Sequence, residues 1–266
     1  MALATLRAPD GTAYDLCGPE GAPLVVLIHG LGLARGVFGG LMPALSGFRV
    51  LRYDLAGHGA SAHRSFRPSS LGALSNQLLV LLDHLGAGRA HLAGFSIGGM
   101  INRRFALDHP RRVASLVILN SPHDRGAGQG AVEERAKTVR QQGAMATLEA
   151  ALQRWFTPAY LGNIETTDVV RGWRAEADPE SYANAAWVLA HGVRELIAPD
   201  PPISTPTLVM TCEADSGSTP EMSRAIAAEI AGAQLHIVPR LKHLGLMEAP
   251  EAFADPIRAF LERQPR

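Results

Sequence analysis

Two cysteines in 266 residues, Cys17 and Cys212, leave no material for a disulfide framework. They lie far apart and form no CxxC or other metal-ligand spacing, so no metal cofactor is expected and a reducing cytoplasm is the compartment that fits. An excess of charge of one sign is also missing. The 25 basic residues balance the 25 acidic ones, and no basic block stands out. A nucleic-acid partner or an anionic membrane surface therefore gains no electrostatic support. Long apolar runs are missing too. The stretch Met1 to Asp10 carries no apolar segment of a secretory signal. The run Leu24-Val25-Val26-Leu27-Ile28 falls far short of the ~20 residues that a bilayer span needs. No GxGxxG follows that run, which leaves nucleotide binding unsupported and no cofactor expected.

What is present is a large apolar fraction, 47% of the chain, which excludes disorder. A chain of this length makes one large domain or one domain with an insertion. Six short apolar runs read as strands buried on both faces: 24–28, 48–53, 90–95, 113–119, 207–211 and 235–238. Helical patterns alternate with them over 71–85, 97–109, 220–230 and 249–263. Gly86 stops the first of these helices and Thr219-Pro220 starts the third. The alternation predicts an α/β fold with a mostly parallel, twisted sheet flanked by helices.

One segment breaks the alternation. Residues 122–202 hold no convincing buried strand, and helices are expected over 133–156, with a possible break at Gly143, then over 167–176 and 182–196. An insertion of this length predicts a helical cap set after the sixth strand. The expected division is a core of residues 1–121 and 203–266 and a cap of residues 122–202. The cap mixes Arg, Glu and Asp without an evident anion clamp.

The strongest chemical signal is Gly94-Phe95-Ser96-Ile97-Gly98, which joins a strand to a helix. A G-x-S-x-G in that context is a nucleophile elbow, with the serine thrust out at the carboxyl edge of the sheet. The Ile97 amide then sits at a helix N-terminus, where donors and dipole favour negative charge. His29-Gly30-Leu31-Gly32 follows the first strand and offers the Leu31 amide as a second oxyanion donor. His29 itself reads as a structural hydrogen-bonding residue.

A nucleophilic serine needs a base and an acid to orient it. In the chain order Ser, acid, His, each partner follows a late strand. Asp215 follows the strand 207–211 and His243 follows the strand 235–238. Glu213 competes for the acid role from the same loop. The turn after 113–119 offers Asn120, which is not a carboxylate. Cys212 reads as a small buried residue and not as a second nucleophile.

Five motifs then occur in one order along the chain: His29-Gly30-Leu31-Gly32, Tyr53-Asp54-Leu55-Ala56-Gly57-His58-Gly59-Ala60-Ser61, the Ser96 elbow, Asp215, and His243 with Glu248-Ala249-Pro250-Glu251-Ala252-Phe253. Over nearly its whole length the chain resembles the α/β-hydrolase superfamily. Within it the chain is most similar to 3-oxoadipate enol-lactonase-like hydrolases, through Gly98-Gly99-Met100 and Arg154-Trp155-Phe156-Thr157-Pro158. The resemblance implies that the Asp54–His58 turn is structural, and it favours Trp155 and Phe156 as substrate walls. The expected activity is hydrolysis of a small-molecule carboxylic ester or lactone by Ser96, His243 and Asp215. Hydrolysis of a C–C bond in a vinylogous diketone, or of an amide, stays open on the same residues, as does a slow-turnover ligand-binding receptor. A homodimer is compatible with the sequence.

Overall fold

The computed structural model describes residues 4–62 and 67–264. The first three residues of the N-terminal stretch considered above thus lie outside the described residues. Among those described, one sheet is built from β1 (Leu6–Arg7), β2 (Ala13–Cys17), β3 (Leu24–Ile28), β4 (Arg49–Tyr53), β5 (Ala90–Phe95), β6 (Val113–Leu119), β7 (Thr207–Cys212) and β8 (Gln234–Val238). Their spatial order is β1-β2-β4-β3-β5-β6-β7-β8. From β4 to β8 every neighbouring pair is parallel, and β1 and β2 add an antiparallel edge. The six strands expected from apolar runs are all present. β1 and β2 were not anticipated, because neither is a continuous apolar run. β2 carries the buried Asp15, which is held by Arg35 at 3.0 Å and Arg52 at 2.8 Å.

Two helices, α1 (Leu71–His84) and α2 (Ile97–Asp108), link strands on one face of the sheet. The Ser70 hydroxyl accepts from the Ala73 amide and caps α1. Leu78 and Leu81 of α1 and Ile101 and Phe105 of α2 pack on Val26 and Leu92 of the sheet. Between β6 and β7 come α3 (Gln129–Gln142), α4 (Leu148–Trp155), α5 (Pro158–Leu161), α6 (Ile164–Ala175) and α7 (Pro179–His191). The helix expected over 133–156 is therefore two helices, separated at Gly143, whose φ of 88° is the left-handed region that glycine tolerates. The remaining helices are α8 (Pro220–Glu229), α9 (Gly245–Glu248) and α10 (Glu251–Glu262). Phe253 and Phe260 of α10 close the other face of the sheet against Leu27, Phe95 and Val117. No helix among the described residues is long and apolar enough to cross a membrane.

The topology decides where a ligand can sit. From β3 the chain moves to β4 on one side and then returns to β5 on the other. The loops after β3 and β5 diverge there and open a crevice at the carboxyl ends of the strands. The inserted helices roof this edge and are pinned to it. The Leu244 amide donates to the Trp155 carbonyl at 2.9 Å, and Lys242 Nζ donates to the Gln153 carbonyl at 2.9 Å. The Glu248 carboxylate accepts from both the amide (2.8 Å) and the hydroxyl (2.7 Å) of Thr157.

Phe105 of α2 has no exposed surface and sits in the core between the helices and the sheet. Phe105→Ala should lower the unfolding free energy by about 3–5 kcal/mol. Denaturant unfolding monitored by circular dichroism checks this, and a loss under ~1 kcal/mol would contradict the packing described.

Candidate active site

The site is built first from a backbone constraint. Ser96 is the residue between β5 and α2, and its φ of 57° and ψ of −114° lie where an L-residue is rarely found. Such a conformation costs about 1–3 kcal/mol and persists only where its surroundings enforce it. Here the Ser96 amide donates to the Leu119 carbonyl at 2.8 Å, and the Ser96 carbonyl accepts from Gly99 at 3.0 Å. The two flanking glycines have no alternative. A Cβ on Gly94 would lie 2.1 Å from the Gly98 carbonyl oxygen, and one on Gly98 would lie 2.1 Å from that of Ile28.

His243 and Asp215, the residues expected as base and acid, meet at the ends of β8 and β7. His243 Nδ1 donates to Asp215 Oδ2 at 2.7 Å, across 28 residues of sequence. That bond orients the ring and leaves Nε2 without a protein partner among the described residues. The ring packs against Phe95 and Trp155, with centroids 5.0 and 6.2 Å away. Asp215 is buried, and burial by itself would raise its carboxyl. The charge and hydrogen bond of His243, the Asn120 amide and the Ser218 backbone outweigh that and hold it below the usual 3.8. Asn120 Nδ2 donates to Asp215 Oδ2 at 2.9 Å, while the amides of Gly217 and Ser218 donate to Oδ1 at 2.8 and 2.9 Å. Glu213 is occupied elsewhere, accepting from the Arg240 amide at 2.9 Å.

Ser96, Asp215, His243 and Leu31 all line one pocket of about 120 Å³ beneath the inserted helices. Ile97 follows Ser96 as the first residue of α2, so its amide has no helical acceptor. His29 is fully buried and serves the backbone on both sides. Its Nδ1 donates to the Gly30 carbonyl at 2.8 Å and its Nε2 accepts from the Leu55 amide at 2.9 Å. Burial pushes its pKa down to about 4, so the ring is neutral at pH 7. Burial likewise pushes the Cys212 thiol up to about 12, which removes it as a thiolate nucleophile. No group of three or more His, Cys, Asp or Glu side chains among the described residues could hold a metal ion.

A family model described as the alpha/beta hydrolase fold matches residues 23–250. The chain belongs to this family. It is 28% identical over 263 residues to 3-oxoadipate enol-lactonase 2 of Acinetobacter baylyi, covering 97% of this chain and 96% of the relative. The crystal structure of a hydrolase from Pseudomonas aeruginosa superposes with a TM-score of 0.86 at 34% identity, covering 97% of this chain and 98% of that one. The enol-lactonase of Burkholderia xenovorans gives 0.84 at 28% identity, with 95% and 96% covered. The similarity to enol-lactonases that the motifs carry is therefore found independently in sequence and in structure, and the α/β-hydrolase is an enzyme of hydrolytic type.

Within this hydrolase, one expected wall is corrected. Trp155 lines the pocket, but Phe156 does not. Phe156 is fully buried and stacks on Tyr160 at 5.4 Å within the core cluster. Successive residues at a helix end point about 100° apart, so the two neighbours face different surroundings. Sequence reasoning also left Asn120 without a role, since it was weighed only as a missing carboxylate. The obtainable signal was an Asn directly after an apolar strand run, because Asn tolerates the left-handed region that a strand-end turn can require, and here its φ is 45°.

Asn120→Ala should cost about 1.5–3 kcal/mol of stability at pH 7, the usual value of a hydrogen bond to a charged group, plus the strain of a Cβ-only residue at this φ. The sign with pH follows from the depressed Asp215 carboxyl. The stability it contributes is present above about 3.8 and is lost as pH falls through its lower folded value. The gap between wild type and variant should narrow between pH 7 and pH 3. Unfolding curves at both values test it, and a gap independent of pH would contradict the bond to the ionised acid.

Proposed function

We propose that the chain is a serine hydrolase that cleaves a carboxylic ester or lactone through an acyl-enzyme. The observation that carries the reading is the strained Ser96, held over a pocket that it shares with the His243–Asp215 pair. A serine is maintained at φ 57° against its own preference, at the one turn from which its hydroxyl reaches the pocket. In this mechanism Ser96 Oγ attacks the carbonyl carbon while His243 Nε2 takes its proton. Asp215 keeps the proton of the neutral ring on Nδ1 and stabilises the imidazolium that forms. The amides of Leu31 and Ile97 hold the developing oxyanion. Collapse of the tetrahedral intermediate breaks the C–O bond, and His243 returns the proton to the leaving alkoxide oxygen. Water then attacks the acyl-enzyme with His243 again as base, releasing the acid and restoring Ser96. With a lactone the alcohol stays tethered to the acyl group, so one open-chain hydroxy or keto acid leaves. The lactone alternative is supported by the likeness to enol-lactonases.

The pocket bears on acyl size. Its volume is about 120 Å³, bounded by the sheet edge on one side and the inserted helices on the other. A compact acyl group fits it better than a long alkyl chain.

Hydrolysis of p-nitrophenyl esters of rising chain length should therefore fall off beyond short acyl groups. Ser96→Ala should lose on the order of 10⁶ in kcat, and a fluorophosphonate should label wild type at Ser96 alone. Equal turnover by Ser96→Ala would overturn the acyl-enzyme. A rate that rises steadily to long chains would overturn the assignment of a compact pocket.

A further inference from the structure

Four arginines line the same pocket: Arg125, Arg135, Arg154 and Arg174. They come from the loop before α3, from α3, from the end of α4 and from α6, so they converge only in the folded chain. No carboxylate pairs with any of them among the described residues. Four acids on these elements face other cations. Glu133 faces His191 and Arg194, Glu134 faces Lys137, and Glu149 and Asp168 face Arg171. The remaining carboxylate of the pocket, Asp215, is held by His243 and Asn120.

The protein contacts of these arginines leave donors to spare. Arg125 donates to the Leu189 carbonyl at 2.8 Å and, at 3.4 Å, to the Ala190 carbonyl and the Gln129 side chain, while Arg154 donates to the Ala150 carbonyl at 2.8 Å. Arg174 donates to the Ala144 carbonyl at 2.8 Å and to the Thr147 hydroxyl, with its guanidinium 5.0 Å from the Tyr182 ring centre and 5.9 Å from that of Trp155. Arg135 has no hydrogen-bond partner among the described residues. Burial lowers the pKa of all four, that of Arg125 to about 10. Like charge adds to this, with Arg135 acting on Arg125, and Arg154 acting on Arg135 and Arg174. A row of partly desolvated, mutually repelling cations is costly when left unneutralised. It becomes favourable once anions with planar acceptor pairs bridge it.

We infer that this pocket seats a substrate with two carboxylates besides the scissile carbonyl, each taken by guanidiniums of the Arg125–Arg135–Arg154–Arg174 row. The inference rests on the hydrolytic reading of the site and specifies its substrate class: a compact dianionic ester or lactone. For a lactone, or for an ester with both carboxylates on its acyl part, the acid released by hydrolysis is then a tricarboxylate. Two anions against four cations leave each carboxylate a pair of donors, whereas a single carboxylate leaves at least two guanidiniums uncompensated.

The test is calorimetric titration of the Ser96→Ala protein with butyrate, glutarate and propane-1,2,3-tricarboxylate. Ser96→Ala is used because binding then does not depend on turnover. A charge-assisted hydrogen bond contributes about a ten- to hundred-fold change in affinity. Affinity should rise at least about ten-fold from butyrate to glutarate, should be kept in the tricarboxylate, and should weaken with added salt. Arg135→Gln and Arg154→Gln, introduced singly, should each weaken the tricarboxylate at least about ten-fold and butyrate far less. Their thermal midpoints report whether the fold is retained. Equal affinity for butyrate and glutarate, or for all three acids, would overturn the two-anion seat. Ordered anion binding by a protein whose wild-type form neither reacts with a fluorophosphonate nor hydrolyses any ester would leave the seat standing and remove the hydrolytic reading instead.

Discussion

The backbone at Ser96 is the constraint on which the arrangement depends. Its positive φ turns the chain from β5 into α2 within one residue. That turn is possible because α2 lies close enough to β3 for Gly98 to approach the Ile28 carbonyl, where any side chain would collide. The same closeness brings the loop after β3, with Leu31, to the rim of the Ser96 pocket. Strain at one residue is thus offset by burial of the whole α1–α2 layer on the sheet, and the serine has little freedom to relax away from the crevice.

Around this point the protein trades polar burial for orientation. Asp215 is buried, and its oxygens accept from Asn120, Gly217, Ser218 and His243. A buried carboxylate with so many donors remains ionised, and an ionised acid fixes which ring nitrogen of His243 carries the proton. His29 and His58, equally buried but given no carboxylate hydrogen bond, are pushed to pKa values of about 4 and about 3, chiefly by burial. His243 differs from both in its surroundings, being only partly buried and bonded to a carboxylate, whereas His29 and His58 are neutral rings within the fold.

The inserted helices follow a different logic from the sheet. Their own core is small, made of Ala136, Val139, Ala183 and Ala186 around Tyr182. Much of their attachment is polar, through the Thr157–Glu248 and Trp155–Leu244 bonds. Their underside brings four arginines to the pocket of a chain whose formal charge is zero, which makes the potential there positive.

The sequence by itself determined the sheet interior, the elbow and the order of the motifs. β3, β5 and β6 were legible with their boundaries, since strands buried on both faces are continuous apolar runs and end where the chain must turn. The turn at Ser96 was legible because its crowded backbone admits only glycine at positions 94 and 98. Asp215 and His243 could be nominated from strand ends, and the preference for Asp215 over Glu213 became geometric only when β7 and β8 lay side by side. What only the tertiary structure decided was direction. Trp155 and Phe156 are adjacent in sequence, yet one faces the pocket and the other the core. Arg125, Arg135, Arg154 and Arg174 are scattered among acids on separate elements, and no anion clamp was visible in them. Which way each guanidinium points is set by how α3, α4 and α6 pack on one another, and a one-dimensional pattern does not carry the angles between separate helices.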